Sequence, residues 1–73
     1  MKLHLYWFDK NYKAKGVAHN YNMLIDMQAG TYKLWTNTYG DYHNPNSIEV
    51  ARKSDLIDYE KYLQSIGFKY IRV

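Results

Sequence analysis

The N-terminal stretch LHLYWF, residues 3–8, is apolar on both sides of an extended chain. Successive side chains of a strand point to opposite faces. Leu3, Leu5 and Trp7 therefore share one face, and His4, Tyr6 and Phe8 share the other. A strand covered on one side only would alternate apolar with polar residues. Here the second face is aromatic, so something must cover it or use it.

The rest of the chain is punctuated more simply. Residues 2–8 are predicted as a first strand, and the polar segment DKNYKAKG (9–16) as a loop closed by Gly16. VAHNYNMLIDM (17–27) is a second strand, QAGT (28–31) a turn in which Gly30 supplies positive φ, and YKLWTN (32–37) a third strand. Placing Met27 opposite Tyr32 sets Ile25 against Leu34 on one face. On the other it sets Asp26 against Lys33 and Leu24 against Trp35. Cross-strand pairs of these kinds stabilise an antiparallel hairpin. TYGDYHNPNS (38–47) is a loop, and IEVA (48–51) a short strand.

KSDLIDYEKYLQSIGF carries the one helical signature. Ser54 or Asp55 can cap it, and Asp55 and Asp58 complement its dipole. Leu56, Tyr59, Leu63 and Ile66 recur on one side, and Gly67 stands at the C′ position. FKYIRV (68–73) closes the chain as a strand. The pattern predicts one α+β domain over residues 1–73. Its sheet is an antiparallel β-meander of three main strands with one or two short ones, and one helix from the C-terminal half packs on one face. That helix is expected to cover Leu3, Leu5, Trp7, Ile25, Met27, Tyr32 and Leu34. The opposite face then carries His4, Tyr6, Phe8, Asn20, Asn22, Leu24, Lys33 and Trp35.

Size limits what else can be built. A chain of 73 residues buries only about 60% of its unfolded surface, with a stability margin of roughly 4–11 kcal/mol. A separate enzyme pocket would compete with the core for large side chains. There is no cysteine, which removes disulfides and thiolate metal sites. His4 and His19 are expected on opposite faces, in a register with Leu5 opposite His19, and His43 lies in a loop beside Asp41. None of these spacings gathers metal ligands on one side. Asp55, Asp58 and Glu60 read as helix-surface charge, Ser47 and Ser54 have no base placed by a motif, and no Gly-rich phosphate loop is present. No catalytic residue, metal or cofactor is expected. The apolar stretch after Lys2 is too short for a signal peptide, and no run approaches the ~20 residues of a membrane span. The expected location is cytoplasmic.

Charge and tyrosine content shift attention to binding. The formal net charge is +3, and its excess lies in residues 1–40, where Lys2, Lys10, Lys13, Lys15 and Lys33 outnumber Asp9 and Asp26. Nine tyrosines offer apolar bodies with polar tips. The leading expectation is a nucleic-acid contact. Tyr6, Phe8 and Trp35 would stack bases, while Lys10, Lys13 and Lys15, around Tyr12, and Lys33 would neutralise phosphates. The alternative is a protein-interaction module or inhibitor, of phage or mobile-element type, acting on a larger host protein or nucleic-acid machine. In a third reading the second face is buried by the 38–47 loop, by the two short strands, or by a homodimer packed sheet to sheet. Tyr39, Asp41, Tyr42 and His43 form a further candidate site in that loop.

Overall fold

The computed structural model describes residues 2–12, 19–37 and 47–72. Five strands and one helix follow in the order β1 (Lys2–Phe8), β2 (Asn20–Asp26), β3 (Thr31–Asn37), β4 (Ser47–Glu49), α1 (Lys53–Ser65) and β5 (Lys69–Tyr70). The strands form one sheet in the order β4-β1-β2-β3-β5. β1 pairs antiparallel with β2 and β2 with β3, whereas β4 runs parallel to β1 and β5 parallel to β3. The sheet is thus mixed, which corrects the expected antiparallel meander. β4 has three residues and β5 two, too few for side-chain pairing to dictate direction. The path of the chain decides instead. Parallel neighbours need a crossover, and α1 carries the chain from the β4 edge to the β5 edge.

The hairpin register differs from the expected one by two residues. Ile25 faces Tyr32, Leu24 faces Lys33 and Asp26 faces Thr31. The turn explains the shift. Asp26 spends its carboxylate on the backbone N–H groups of Gln28 and Ala29, both at 3.1 Å, and its C=O accepts the Gly30 N–H at 2.9 Å. Gly30 takes φ 69°. Met27 therefore belongs to the turn and is half exposed, not in the core as expected, and Asp26 does not face Lys33. A shift of two keeps every side chain on its own face, so the rest of the core set survives. The β1–β2 register also differs, with Leu5 opposite Met23, and His19 meets Asp9 instead, its C=O accepting the Asp9 N–H at 2.9 Å.

Leu5, Met23, Ile25 and Tyr32 from the sheet and Leu56 and Leu63 from α1 form the buried core, with Leu3, Trp7, Tyr21, Leu34, Val50, Tyr59 and Phe68 packed around it. The N-cap is Arg52, not Ser54 or Asp55. Asp55, at N3, accepts the Arg52 backbone N–H at 3.0 Å and its guanidinium at 2.9 Å. The Arg52 hydrogen bonds hold the Asp55 carboxyl below the usual range. At the other end Gly67, φ 92°, sits at C′ as expected. Phe68 N–H reaches Leu63 C=O at 2.9 Å and Gly67 N–H reaches Gln64 C=O at 3.1 Å, the paired bonds of a Schellman ending. Ile66 falls on the C-cap and is half exposed, which removes it from the expected helix stripe. The Tyr32 hydroxyl locks helix to sheet: it donates to Glu60 Oε2 at 2.8 Å and accepts from Gln64 Nε2 at 3.0 Å.

Candidate functional site: the second sheet face

The register sorts the face opposite α1 into rows. Lys2, Asp26, Thr31 and Lys69 lie across one end. Ser47, His4, Leu24 and Lys33 come next, followed by Glu49, Tyr6, Asn22 and Trp35. Phe8 and Asn20 close the other end.

The centre of this face is not open. His4, Asn20 and Asn22 are each at most 1% exposed. His4 Nε2 lies 2.9 Å from Asn22 Oδ1, and its Nδ1 lies 2.7 Å from Ser47 Oγ. Asn22 Nδ2 donates to the Asn20 C=O at 3.1 Å, so the amide oxygen is the atom turned toward the imidazole. That oxygen only accepts. Nε2 therefore carries the proton, and in the neutral ring Nδ1 accepts from the Ser47 hydroxyl. The sequence hydroxyl, imidazole, amide is that of a nucleophile, a base and an orienting group. A base must, however, reach a substrate proton. Both His4 ring nitrogens are spent inside the fold, and the relay ties β4 and β2 to β1.

The His4 ring is nearly parallel to those of Tyr6 and Trp35, with centroids 5.7 Å away in each case and planes within 17°. Three aromatic rings thus lie in register across β1 and β3. Beside them the Asn20 side chain is buried, and among the described residues neither its Nδ2 nor its Oδ1 has a hydrogen-bond partner.

One end of the face is cationic: Lys2 and Lys69 stand in the end row with Asp26, and Lys33 in the row next to it. Lys2, Lys33 and Lys69 are exposed. Lys2, Leu24, Asp26, Thr31, Lys33 and Ile71 line a depression of about 200 Å³. The Asp26 carboxyl is held below its usual range, first by the Ala29 N–H, then by the Gln28 N–H and the nearby Lys2 charge.

The residues expected to form a site are divided by the structure. Tyr6, Phe8 and Trp35 are half-buried and Lys33 exposed, all on this face. Lys10 is exposed in the turn after β1. Tyr12 is 40% exposed and packs on His19 at 4.5 Å, which in turn meets Tyr21 at 5.1 Å on the helix side of the sheet. Tyr12 is thereby separated from Tyr6 and Phe8. Lys13 and Lys15, and the loop candidates Tyr39, Asp41, Tyr42 and His43, lie outside the described residues. Two cations were missed by the sequence reading. Lys2 could have been found, since alternation from His4 puts it on this face. Lys69 could not, because its place depends on β5 pairing with β3. Among the described residues no three His, Asp or Glu side chains gather as a metal site, and no helix is long and apolar enough to cross a membrane.

Compared with protein-family models, with curated proteins and with solved structures, the chain matches none.

Proposed function

We propose that the chain is a small non-enzymatic protein that binds nucleic acid, preferentially single-stranded, through the second sheet face, and that it works in the cytoplasm. The observation that carries this reading is the gathering of cations and aromatic rings on one face: exposed Lys33 stands in the row next to that of Tyr6 and Trp35, and exposed Lys2 and Lys69 stand in the row beyond it. Lysines release counterions from phosphates whatever the sequence. Aromatic faces take unpaired bases, each stacked base contributing about 1–3 kcal/mol. In a duplex those base faces are already occupied, which is why the mixed surface favours a single strand. The buried His4 relay supports the function indirectly. It fixes the rings before any ligand arrives, so less side-chain freedom is lost on binding.

Anisotropy titrations with labelled single- and double-stranded DNA and RNA, each at two salt concentrations, test the proposal. Single strands should bind more tightly, and affinity should fall with salt. Reversing Lys33 and Lys69 together (Lys33→Glu with Lys69→Glu) should abolish binding at moderate salt. Each lysine removed singly to Ala should flatten the salt slope by about 0.7. Absence of binding at low salt, or a double variant that binds like the parent, rejects the reading.

A further inference from the structure

The relay at the β4 margin has a chemical side that is independent of the nucleic-acid reading. His4 reaches no proton of a second molecule, so it cannot serve a bound substrate as a base. It does hold one proton of chemical use, that of Ser47. Ser47 Oγ lies 2.7 Å from His4 Nδ1. Nε2 is committed as a donor to the Asn22 amide oxygen at 2.9 Å, and Asn22 is fixed in turn by its bond to the Asn20 C=O. The neutral imidazole therefore turns its lone pair to the hydroxyl. A serine hydroxyl is a weak nucleophile until a neighbouring base takes its proton. Here the base stands within hydrogen-bond reach and is held in the tautomer that accepts.

Position decides what this pair can do. Ser47 opens β4, a three-residue strand at one margin of the sheet. His4 and Asn22 are each 1% exposed, whereas Ser47 is half-buried and is the member of the relay that meets solvent. The other two serines of the chain lack a base. Ser54 is exposed at the start of α1, and Ser65 Oγ donates to the Tyr62 C=O at 2.6 Å.

We infer that Ser47 is an acyl-accepting nucleophile, which takes one acyl group per chain from an activated ester or thioester. Its Oγ attacks the carbonyl carbon. The new C–O bond forms, the bond to the phenolate or thiolate breaks, and the hydroxyl proton passes to His4 Nδ1 and from there to the leaving group or solvent. Release of the acyl group would need a water at His4, and the burial of that ring leaves little room for one. The ester therefore persists, and the outcome is a modified serine and not turnover, in keeping with a non-enzymatic protein.

The test treats the folded full chain with p-nitrophenyl acetate at neutral pH and maps acetyl groups peptide by peptide. Hydroxylamine cleaves esters and spares lysine amides, which separates serine products from lysine products. Ser47 should be acetylated about a hundredfold or more faster than Ser54 and Ser65 in the same chain. In urea the three serines should react alike. His4→Gln keeps a polar side chain but supplies no base, and should bring Ser47 down to the rate of Ser54. Ser47→Ala should remove the fast hydroxylamine-sensitive product. Equal acetylation of the three serines in the folded parent overturns the inference. A fast Ser47 in folded His4→Gln also overturns it, since exposure alone would then explain the reactivity. Sustained p-nitrophenolate release that Ser47→Ala abolishes would mean turnover, and would overturn the assignment of a lasting ester.

Discussion

His4 and Asn20 are buried polar neighbours on the same face with opposite energetic standing. His4 has both ring nitrogens bonded, to Asn22 and Ser47. His4→Ala would leave Asn22 Oδ1 without its imidazole partner, remove a bond from Ser47 and leave a cavity beside Tyr6 and Trp35. A stranded buried group costs about 1–3 kcal/mol, before any cavity is counted. We expect a loss of about 2–4 kcal/mol in urea unfolding, much of the margin of so small a chain. Among the described residues the Asn20 side chain has no bond to lose, since neither amide atom finds a partner there. Replacing an unsatisfied polar group by an apolar one of like shape is neutral or favourable. Asn20→Leu should therefore leave stability unchanged or raise it by about 1 kcal/mol. A large loss in that variant would show that the amide has a partner in solution.

The contact between α1 and the sheet turns on one hydroxyl. Burial, first, and then the hydrogen bond to Glu60 raise the Tyr32 phenol above its ordinary value. A group whose folded-state pKa is raised stabilises fully below its unfolded value, here about 10. That contribution is lost as pH climbs from there through the higher folded value. In a spectrophotometric titration Tyr32 should ionise above the ordinary tyrosine value. Tyr32→Phe should remove this alkaline loss and, at neutral pH, cost about 1 kcal/mol for the hydrogen bonds. An unchanged alkaline limb in that variant would dissociate the loss from the helix–sheet contact. The hairpin shows the same economy at the Asp26 turn. There a carboxylate free to pair with Lys33 is drawn instead to two backbone N–H groups two and three residues away, because local partners cost less chain entropy to bring together.

Across the sheet, order should fall from the middle outward. β2 is flanked by strands along its full length and holds Met23 and Ile25, both at 0% exposure. β4 and β5 contribute three and two residues at the margins. Amides that open only with global unfolding belong to such central elements. Hydrogen exchange should be slowest in β2 and the facing parts of β1 and β3, and fast in β4 and β5. Fast exchange throughout β2 would contradict this arrangement. The same architecture gives the molecule two unlike surfaces. One face is aromatic with a cationic end, and the other side carries an apolar groove between β3 and α1, lined by Tyr21, Leu34, Leu56 and Ile57.

Much of this was legible in the chain itself. Alternation assigned Leu3, Leu5 and Trp7 to the helix side and His4, Tyr6 and Phe8 to the other, and that assignment survived a register shift because strand alternation has a period of two. Gly30 and Gly67 marked their turns because a positive φ is a local demand that glycine meets. Leu56, Tyr59 and Leu63 marked the inner side of α1 through their spacing. The rest is non-local. Turn hydrogen bonds to Asp26 chose among registers of equal facing. The path of the chain, not any side chain in β4 or β5, set the edge strands parallel to their neighbours, and α1, crossing from β4 to the far edge, lays β5 in the direction of β4. Only the assembled sheet brings Lys69 beside Lys33, joins Ser47 to His4 and closes the centre of the second face. Each of these depends on which distant segments meet, and periodicity along a single strand carries no record of that.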